Sequence, residues 1–317
     1  MKLIIQIPCF NEEATLAITL NALPRHVPGI DVIEVLVVDD GSVDRTVEVA
    51  KANGVHHIVR QIRNRGLARA FVAGLDAAIS AGADIIVNTD ADNQYRADDI
   101  EKLCQPILEG KAEIVVGARP ITEIAHFSPF KKALQRLGSW AVRVASNTHI
   151  ADAPSGFRAM SRDAAAQTKV YSDYTYTLET IIQAGQKGMV ITSVPIRVNG
   201  VLRPSRLMKS MASYLKRSVL TIVRIFIIYK PLRFFASLGA AFFLTGAVIW
   251  MRFLFYYLQD EGSGHIQSLI LGAVLIGISF LLLVLGLLAD LIAVNRTVLE
   301  KVEWRIYKLQ QDLKQKH

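Results

Sequence analysis

Two long apolar segments in the last third of the chain constrain its fold more than any other feature. Residues 234–251 and 266–289 contain no charged side chain, and a helix of about 20 apolar residues can cross the hydrocarbon core of a bilayer. One buried helix of a soluble protein would explain a single such segment. Two adjacent segments favour a transmembrane hairpin at 232–294, with helices over about 232–256 and 266–290, and therefore a multi-pass membrane protein.

The charges around this hairpin predict its orientation. The connection at 259–265 is short and carries Asp260 and Glu261. The outer ends are basic instead, with Lys216, Arg217, Arg224, Lys230 and Arg233 before the hairpin and Arg296, Lys301 and Arg305 after it. Because basic flanks stay on the cytoplasmic side, we expect both ends in the cytoplasm and the protein in the inner, cytoplasmic membrane.

Two further helices are expected, one on each side of the hairpin. Residues 207–231 combine basic and apolar side chains near helical spacing, which predicts an amphipathic helix at the membrane interface. Residues 295–317 are rich in charge and predict a cytoplasmic helical tail. That tail could form a coiled coil, so a homo-oligomer is among the expected assemblies.

Residues 1–206 follow a different pattern, which predicts a cytoplasmic α/β domain. Short apolar segments alternate with helical segments of about a dozen residues, as is typical of a doubly wound, mostly parallel sheet. In open α/β sheets, ligands bind outside the carboxyl ends of the strands. The binding site of this domain is therefore expected where its strands end.

Two of the predicted strands end in acidic residues. One apolar segment is followed by Asp39 and Asp40, and another by Asp90 and Asp92. We predict that the second strand ends at Asp90, so that the carboxylates of Asp90 and Asp92 point the same way. With Gln94 they could share one hard divalent cation, Mg²⁺ or Mn²⁺. A solvated acidic loop is the alternative.

Basic residues point to an anionic partner. The net charge of +8 suits nucleic acid, anionic lipid or a phosphorylated substrate, but no nucleic-acid-binding motif is present, so nucleic acid is not expected as a partner. Arg60, Arg63, Arg65 and Gly66 precede a predicted helix at 67–80. They suit a phosphate group at the helix N-terminus, and a solvated basic turn is the alternative.

Taken in order, these motifs resemble those of family 2 glycosyltransferases. The matching segments are Val-Asp-Asp-Gly-Ser over residues 38–42, Asn-Arg-Gly over 64–66, Asp-Ala-Asp-Asn-Gln over 90–94 and Ser-Gly-Phe-Arg over 155–158. With its hydrophobic C-terminus, the chain is similar to the polyprenyl-phosphate glycosyltransferase branch, which includes dolichyl-phosphate mannose synthase. The resemblance covers about residues 1–206 and implies a GT-A-like fold.

The resemblance also implies which residues bind the donor. A nucleotide sugar would be held by ten residues, namely Pro8, Phe10, Glu12, Val38, Asp39, Asp40, Arg63, Gly66, Asp90 and Ala91. The metal ligands would be Asp90, Asp92 and Gln94. Arg203 and Arg206, on a loop interrupted by Gly and Pro, would close over the diphosphate and stabilise the charge of the leaving group.

The acceptor would be held by a second set of residues. The resemblance implies that Arg119, Lys132 and Arg136 bind the lipid phosphate and that Asp152 orients the sugar. Lys132 lies where the family often has arginine. A lysine there offers a single charge in place of the planar fork of a guanidinium.

The predicted function is the metal-dependent transfer of one sugar from a UDP- or GDP-sugar to polyprenyl phosphate, with inversion at the anomeric carbon. A processive polysaccharide synthase is one alternative, but the chain lacks a Gln-x-x-Arg-Trp motif and two spans cannot form a polymer channel alone. A non-catalytic, nucleotide-binding membrane scaffold is another, and Asp40, Asp90 and Asp92 argue against it. The sequence identifies neither the sugar, nor the base, nor the polyprenol.

Overall fold

The computed structural model describes residues 1–120, 143, 146, 148, 150, 152–170, 176–200, 220, 223–224, 226–259 and 262–315. Four of the predicted site residues lie outside this range: Lys132, Arg136, Arg203 and Arg206. Most of the predicted interfacial helix at 207–231 also lies outside it. The chain divides into two compact units, Met1–Ser218 and Val219–His317.

The first unit is built from seven strands and six helices within the described residues. The strands are β1 (Lys2–Cys9), β2 (Val32–Asp39), β3 (His57–Arg60), β4 (Ile85–Asn88), β5 (Ile114–Ala118), β6 (Arg158–Ser161) and β7 (Ile191–Pro195). The helices are α1 (Leu16–Ala22), α2 (Thr46–Ala52), α3 (Leu67–Ser80), α4 (Ile100–Leu108), α5 (Arg162–Gln167) and α6 (Thr177–Gln186). A short 3₁₀ helix, Ala97–Asp99, precedes α4.

The strands form one sheet in the order β3-β2-β1-β4-β6-β5-β7. All neighbouring strands are parallel except at β6, which runs antiparallel to both β4 and β5. Strands β1 and β4 are buried along nearly their whole length, because helices cover both faces of a parallel sheet. The predicted α/β class and mostly parallel sheet are confirmed, whereas the sequence pattern did not indicate the antiparallel strand β6.

The segment after β4 differs from the prediction. The strand ends at Asn88, so Asp90 lies beyond it and the acidic residues occupy a turn rather than an extended segment. Two features produce the turn: Asn93 has a left-handed backbone with φ of 54°, and the Gln94 N–H donates to the Asp92 Oδ1 atom at 3.2 Å. Asp and Asn side chains commonly form such local turns.

The second unit contains two long helices, α7 (Pro231–Tyr257) and α8 (Ile266–Gln315). Both are long and apolar enough to cross a membrane. They pack closely at glycines, since a Cβ atom on Gly246 would lie 3.0 Å from the Gly272 carbonyl oxygen. Their largest apolar side chains are mostly exposed, as suits a lipid-facing hairpin. Helix α8 continues without a break to Gln315, so the predicted tail is the end of the same helix.

Candidate functional site

The edge of the sheet where the parallel strands end brings three loops together. The acidic turn follows β4, Arg119 follows β5, and the turn at 152–157 leads into β6. Because β6 is antiparallel to its neighbours, its first residue lies at the edge where β4 and β5 finish. The antiparallel strand therefore adds a third loop to the edge at which α/β sheets bind ligands.

The acidic turn lies directly against Gly156. A Cβ atom on this glycine would come within 3.2 Å of the Asp90 Oδ1 atom and 3.4 Å of Oδ2, so any larger residue would crowd the carboxylate. The Gly156 N–H donates to the Tyr95 hydroxyl at 3.3 Å. On the other side, the Ala91 carbonyl accepts from the Thr19 hydroxyl at 2.9 Å. The turn is thereby fixed both to α1 and to the loop before β6.

The electrostatics of the turn are unusual. Burial and the neighbouring charge of Asp92 raise the pKa of Asp90 to about 7, although Arg119 and Arg158 act in the opposite direction. Two carboxylates this close repel each other when both are ionised. A bound divalent cation would have the opposite effect and favour the ionised form of both.

The residues of the turn fit a hard cation such as Mg²⁺ or Mn²⁺. Asp90, Asp92 and Gln94 offer carboxylate and amide oxygens, which such cations prefer. Within the described residues, no group of three or more His, Cys, Asp and Glu side chains is placed to hold a metal ion. With only two carboxylates, the turn would leave coordination positions for phosphate oxygens, and the assignment of these three residues as ligands stays a prediction.

The structure joins Arg119 and Asp152, to which the sequence assigned separate roles. The Arg119 Nε atom donates to Asp152 Oδ2 at 2.7 Å, and Nη2 donates to Oδ1 at 3.1 Å. The Arg119 backbone N–H also reaches Oδ2, at 3.2 Å. Burial alone would lower the pKa of Arg119, but the hydrogen bonds to Asp152 outweigh it and raise the pKa. Asp152 thus fixes the guanidinium plane and accepts from only two of its five N–H donors.

Asp40 anchors the basic loop that precedes α3. Its two carboxylate oxygens accept from the backbone N–H groups of Arg65 and Gly66, each at 2.8 Å. Gly41 has φ of 74°, and a Cβ atom there would lie 2.5 Å from the Arg63 carbonyl carbon. Since Asp40 already uses these two N–H groups, a phosphate at the start of α3 would need the arginine side chains or later N–H groups.

The other predicted nucleotide-binding residues differ in exposure. Phe10 is exposed, whereas Glu12 is buried and its Oε2 atom accepts from the Thr15 hydroxyl at 2.8 Å. Asp39 is fully buried and accepts from the Ser42 N–H at 3.0 Å. Three more of the set are buried, namely Pro8, Val38 and Ala91. Val38 faces α3, because a Cβ atom on Gly74 would lie 3.0 Å from its Cγ2 atom.

The sequence analysis did not predict a buried polar network that lies beneath the acidic turn. The Asn88 Oδ1 atom accepts from Gln6 Nε2 at 2.9 Å, and Asn88 Nδ2 lies 2.9 Å from both the Gly156 carbonyl and the Tyr176 hydroxyl. Arg158, in the next strand, is also fully buried. The polar residues at inward-facing strand positions could have indicated this network, because a buried polar side chain is rarely without a hydrogen-bond partner.

Segment 197–199 is hydrogen-bonded both to the acidic turn and to Asp99. The Asn199 backbone N–H donates to the Gln94 carbonyl at 2.8 Å, and its Nδ2 atom donates to the Asn93 carbonyl at 2.9 Å. The Arg197 backbone N–H and Nη2 atom donate to the two oxygens of Asp99, each at 2.7 Å. Both ends of this segment are therefore held against the region that carries the predicted metal ligands.

Asp99 should make the stability of this unit depend on pH. Burial would raise its pKa, but hydrogen bonds from Arg197 and Lys102 outweigh burial and lower it from 3.8 to about 2. A carboxylate with a lowered pKa stabilises the folded state above its unfolded pKa and loses that effect as the pH falls through the folded pKa. We expect Asp99→Asn to lower stability by about 2 kcal/mol at pH 7, and the difference from wild type to vanish as the pH falls from about 4 towards 2.

This prediction is checked by following Tm of the detergent-solubilised protein between pH 7 and pH 2. Asp98→Asn is the matched control, because this neighbouring carboxylate is 64% exposed and exposed ion pairs contribute little to stability. Equal Tm values for wild type and Asp99→Asn at pH 7 would show that the contact does not stabilise the fold.

Comparison of the sequence with those of known proteins matches one family over more than half of the chain. The sequence profile described as "Glycosyl transferase family 2" matches residues 4–168. The UDP-N-acetylglucosamine–dolichyl-phosphate N-acetylglucosaminyltransferase of Methanococcus voltae is 32% identical over 216 residues, which cover 60% of this chain and 83% of the relative. The undecaprenyl-phosphate mannosyltransferase of Micrococcus luteus is 27% identical over 209 residues, with 62% and 83% covered.

A solved structure shares the fold of the first unit. Glucosyl-3-phosphoglycerate synthase from Mycobacterium tuberculosis, crystallised with Mn²⁺, uridine diphosphate and glucosyl-3-phosphoglycerate, gives a TM-score of 0.51 at 21% identity. The match covers 70% of this chain and 79% of that one. The expected GT-A-like α/β sheet is thereby confirmed.

Proposed function

Because the chain belongs to glycosyl transferase family 2, we propose that it transfers a single sugar from a nucleoside diphosphate sugar to a polyprenyl phosphate in the membrane. The observation that carries the proposal is the close approach of Gly156 to the Asp90 carboxylate. It joins the acidic turn to the loop on which Asp152 holds Arg119. Donor-binding carboxylates and an acceptor-binding guanidinium thereby meet at one edge of the sheet.

The donor is held at the acidic turn. Asp90, Asp92 and Gln94 would hold Mg²⁺ or Mn²⁺, which would supply positive charge for the diphosphate leaving group. The Mn²⁺ and uridine diphosphate present in the mycobacterial structure support this assignment. The nucleoside lies along Phe10, which is exposed, and along the loops that carry the buried Pro8, Glu12 and Asp39, while Arg63 adds charge for the diphosphate. Val38 and Asp40 act indirectly, since Val38 supports α3 and Asp40 fixes the basic loop.

The acceptor needs positioning more than activation. A phosphate monoester is ionised at neutral pH, so its oxygen can attack without a strong general base. Arg119, fixed by Asp152, orients that phosphate with its remaining N–H groups. Lys132 and Arg136 would add positive charge for the lipid phosphate, and Arg203 and Arg206 would act on the diphosphate. Attack in line with the departing diphosphate inverts the anomeric carbon. The two relatives named for lipid phosphate acceptors support this choice.

Membranes containing the protein provide the test. We expect a labelled UDP- or GDP-sugar, supplied with Mg²⁺ or Mn²⁺ and undecaprenyl phosphate, to yield a lipid that carries one sugar and releases it in mild acid. A chelator should abolish the product. A long labelled polymer would favour the processive synthase, and nucleotide binding without any product would favour the non-catalytic scaffold.

The proposed organisation places residues 1–206 and the tail at 295–317 in the cytoplasm, with 207–231 at the interface and the hairpin at 232–294 in the inner membrane. A fluorescent protein fused after His317 should therefore be bright, because such a reporter becomes fluorescent when it stays in the cytoplasm and not when it is exported unfolded. Alkaline phosphatase inserted at 259–265 should be active, and the same enzyme after His317 should be inactive. The reverse pattern would contradict this topology.

A further inference from the structure

Arg158, the first residue of β6, is the largest side chain that is fully buried in the described part of the chain. Its Nη1 atom donates to the Thr177 carbonyl at 3.2 Å and to the Thr180 hydroxyl, and Nη2 donates to the Ser155 carbonyl. Its Cζ atom lies 5.2 Å from the centre of the Tyr176 ring. All of these partners are uncharged.

A buried environment of uncharged groups is energetically unfavourable for the Arg158 guanidinium. Removing a guanidinium from water costs several kcal/mol, and buried ions are normally paired with an opposite charge. Among the described residues, no carboxylate accepts a hydrogen bond from Arg158. An uncharged side chain could fill a purely structural position between a strand and a helix, so the buried charge points to a task in the adjacent site.

The position of Arg158 connects it to that site in two ways. It holds the carbonyl of Ser155, and the next residue, Gly156, lies so close to Asp90 that a Cβ atom on it would be 3.2 Å from the carboxylate. Its charge also interacts with those of Asp90 and Asp152. In a buried region such interactions are screened much less than at the surface.

We propose that Arg158 is a positioning residue for the binding of the metal–diphosphate group: it holds the Ser155–Gly156 backbone against Asp90, and its charge offsets the negative charge that gathers there. This inference rests on the proposed function, since it assumes that a nucleoside diphosphate binds at the acidic turn. Arg158 does not touch the ligand itself, because the side chain is completely enclosed.

The test measures the affinity for Mn²⁺ with UDP or GDP, whichever binds wild type, by titration calorimetry on the full-length protein in detergent. Arg158→Met keeps the bulk and removes the charge, and we expect it to weaken binding about tenfold. Arg158→Lys keeps the charge and should lose no more than about threefold. Arg162→Met is the matched control: it is the same substitution just past the other end of β6, where Arg162 contacts the Ile79 carbonyl, and it should bind as wild type does.

The outcomes separate a positioning role from a structural one. Equal affinity for Arg158→Met and wild type would overturn the inference, as would an equal loss in Arg158→Lys and Arg158→Met. If neither variant folds, Thr180→Val removes one acceptor of the guanidinium; weakened nucleotide binding at an unchanged Tm supports the inference, and unchanged binding overturns it. Wild type that binds neither nucleotide would instead refute the proposed function.

Discussion

Asp92→Asn is expected to reduce the rate of sugar transfer by roughly a thousandfold, a loss comparable to removing a charged group that stabilises a transferring phosphate. Asparagine has nearly the same shape and its Oδ1 atom can still accept from the Gln94 N–H, so the turn should keep its conformation. The substitution removes the charge that the metal ion requires. Initial rates at saturating donor, measured over a range of Mn²⁺ concentrations, provide the check.

Asp98→Asn is the control for this experiment. Asp98 lies in the same stretch of chain, but it is exposed and pairs with Arg96 at 2.9 Å. We expect its rate to equal that of wild type. If Asp92→Asn kept more than about a tenth of the activity, Asp92 would not be a metal ligand.

Arg119→Lys is expected to lower kcat about a hundredfold, with a smaller rise in KM for the lipid phosphate. A lysine cannot make the two parallel hydrogen bonds that Asp152 accepts from Arg119, and its single ammonium group offers no further fixed donors. Asp152→Asn should have a similar effect, because the guanidinium loses the carboxylate that fixes its plane. Both constants are obtained by varying undecaprenyl phosphate at saturating donor.

The double variant shows whether Arg119 and Asp152 act as one unit or contribute independently to catalysis. If Asp152 acts through Arg119, the combination of Arg119→Lys and Asp152→Asn should cost little more than either change alone, since residues that act together are not additive. Losses that multiply would mean that Asp152 contacts the sugar separately, which is the role that the sequence assigned to it.

The regular elements of the first unit could be predicted where the sequence marks their ends. Helix α3 has the predicted bounds of 67–80 because Gly66 and Gly82, both with positive φ, stand on either side of it. Strand β6 could not be predicted in the same way, because it has only four residues and begins with a charged one. Its direction depends on β4 and β5, which are distant in sequence.

The candidate site was predictable in its residues but not in their contacts. The acidic residues at the end of β2 and just after β4 could be read from the sequence, and the structure brings both to the same edge of the sheet. The pairing of Arg119 with Asp152 joins residues 33 positions apart, and no periodicity encodes it. The same holds for Asp40, whose carboxylate is occupied by the loop before α3, and for Arg158, whose burial depends on the packing of α6 against the sheet.

The mass of the lipid product made by purified protein tests the central claim most directly. Wild type and Asp92→Asn would be compared in parallel in lipid nanodiscs containing undecaprenyl phosphate, with the donor sugar that membranes select. We expect wild type to yield undecaprenyl phosphate extended by a single sugar, and Asp92→Asn or a chelator to yield none. Release of the nucleotide with no sugar on the lipid, or an equal yield from Asp92→Asn, would contradict the central claim.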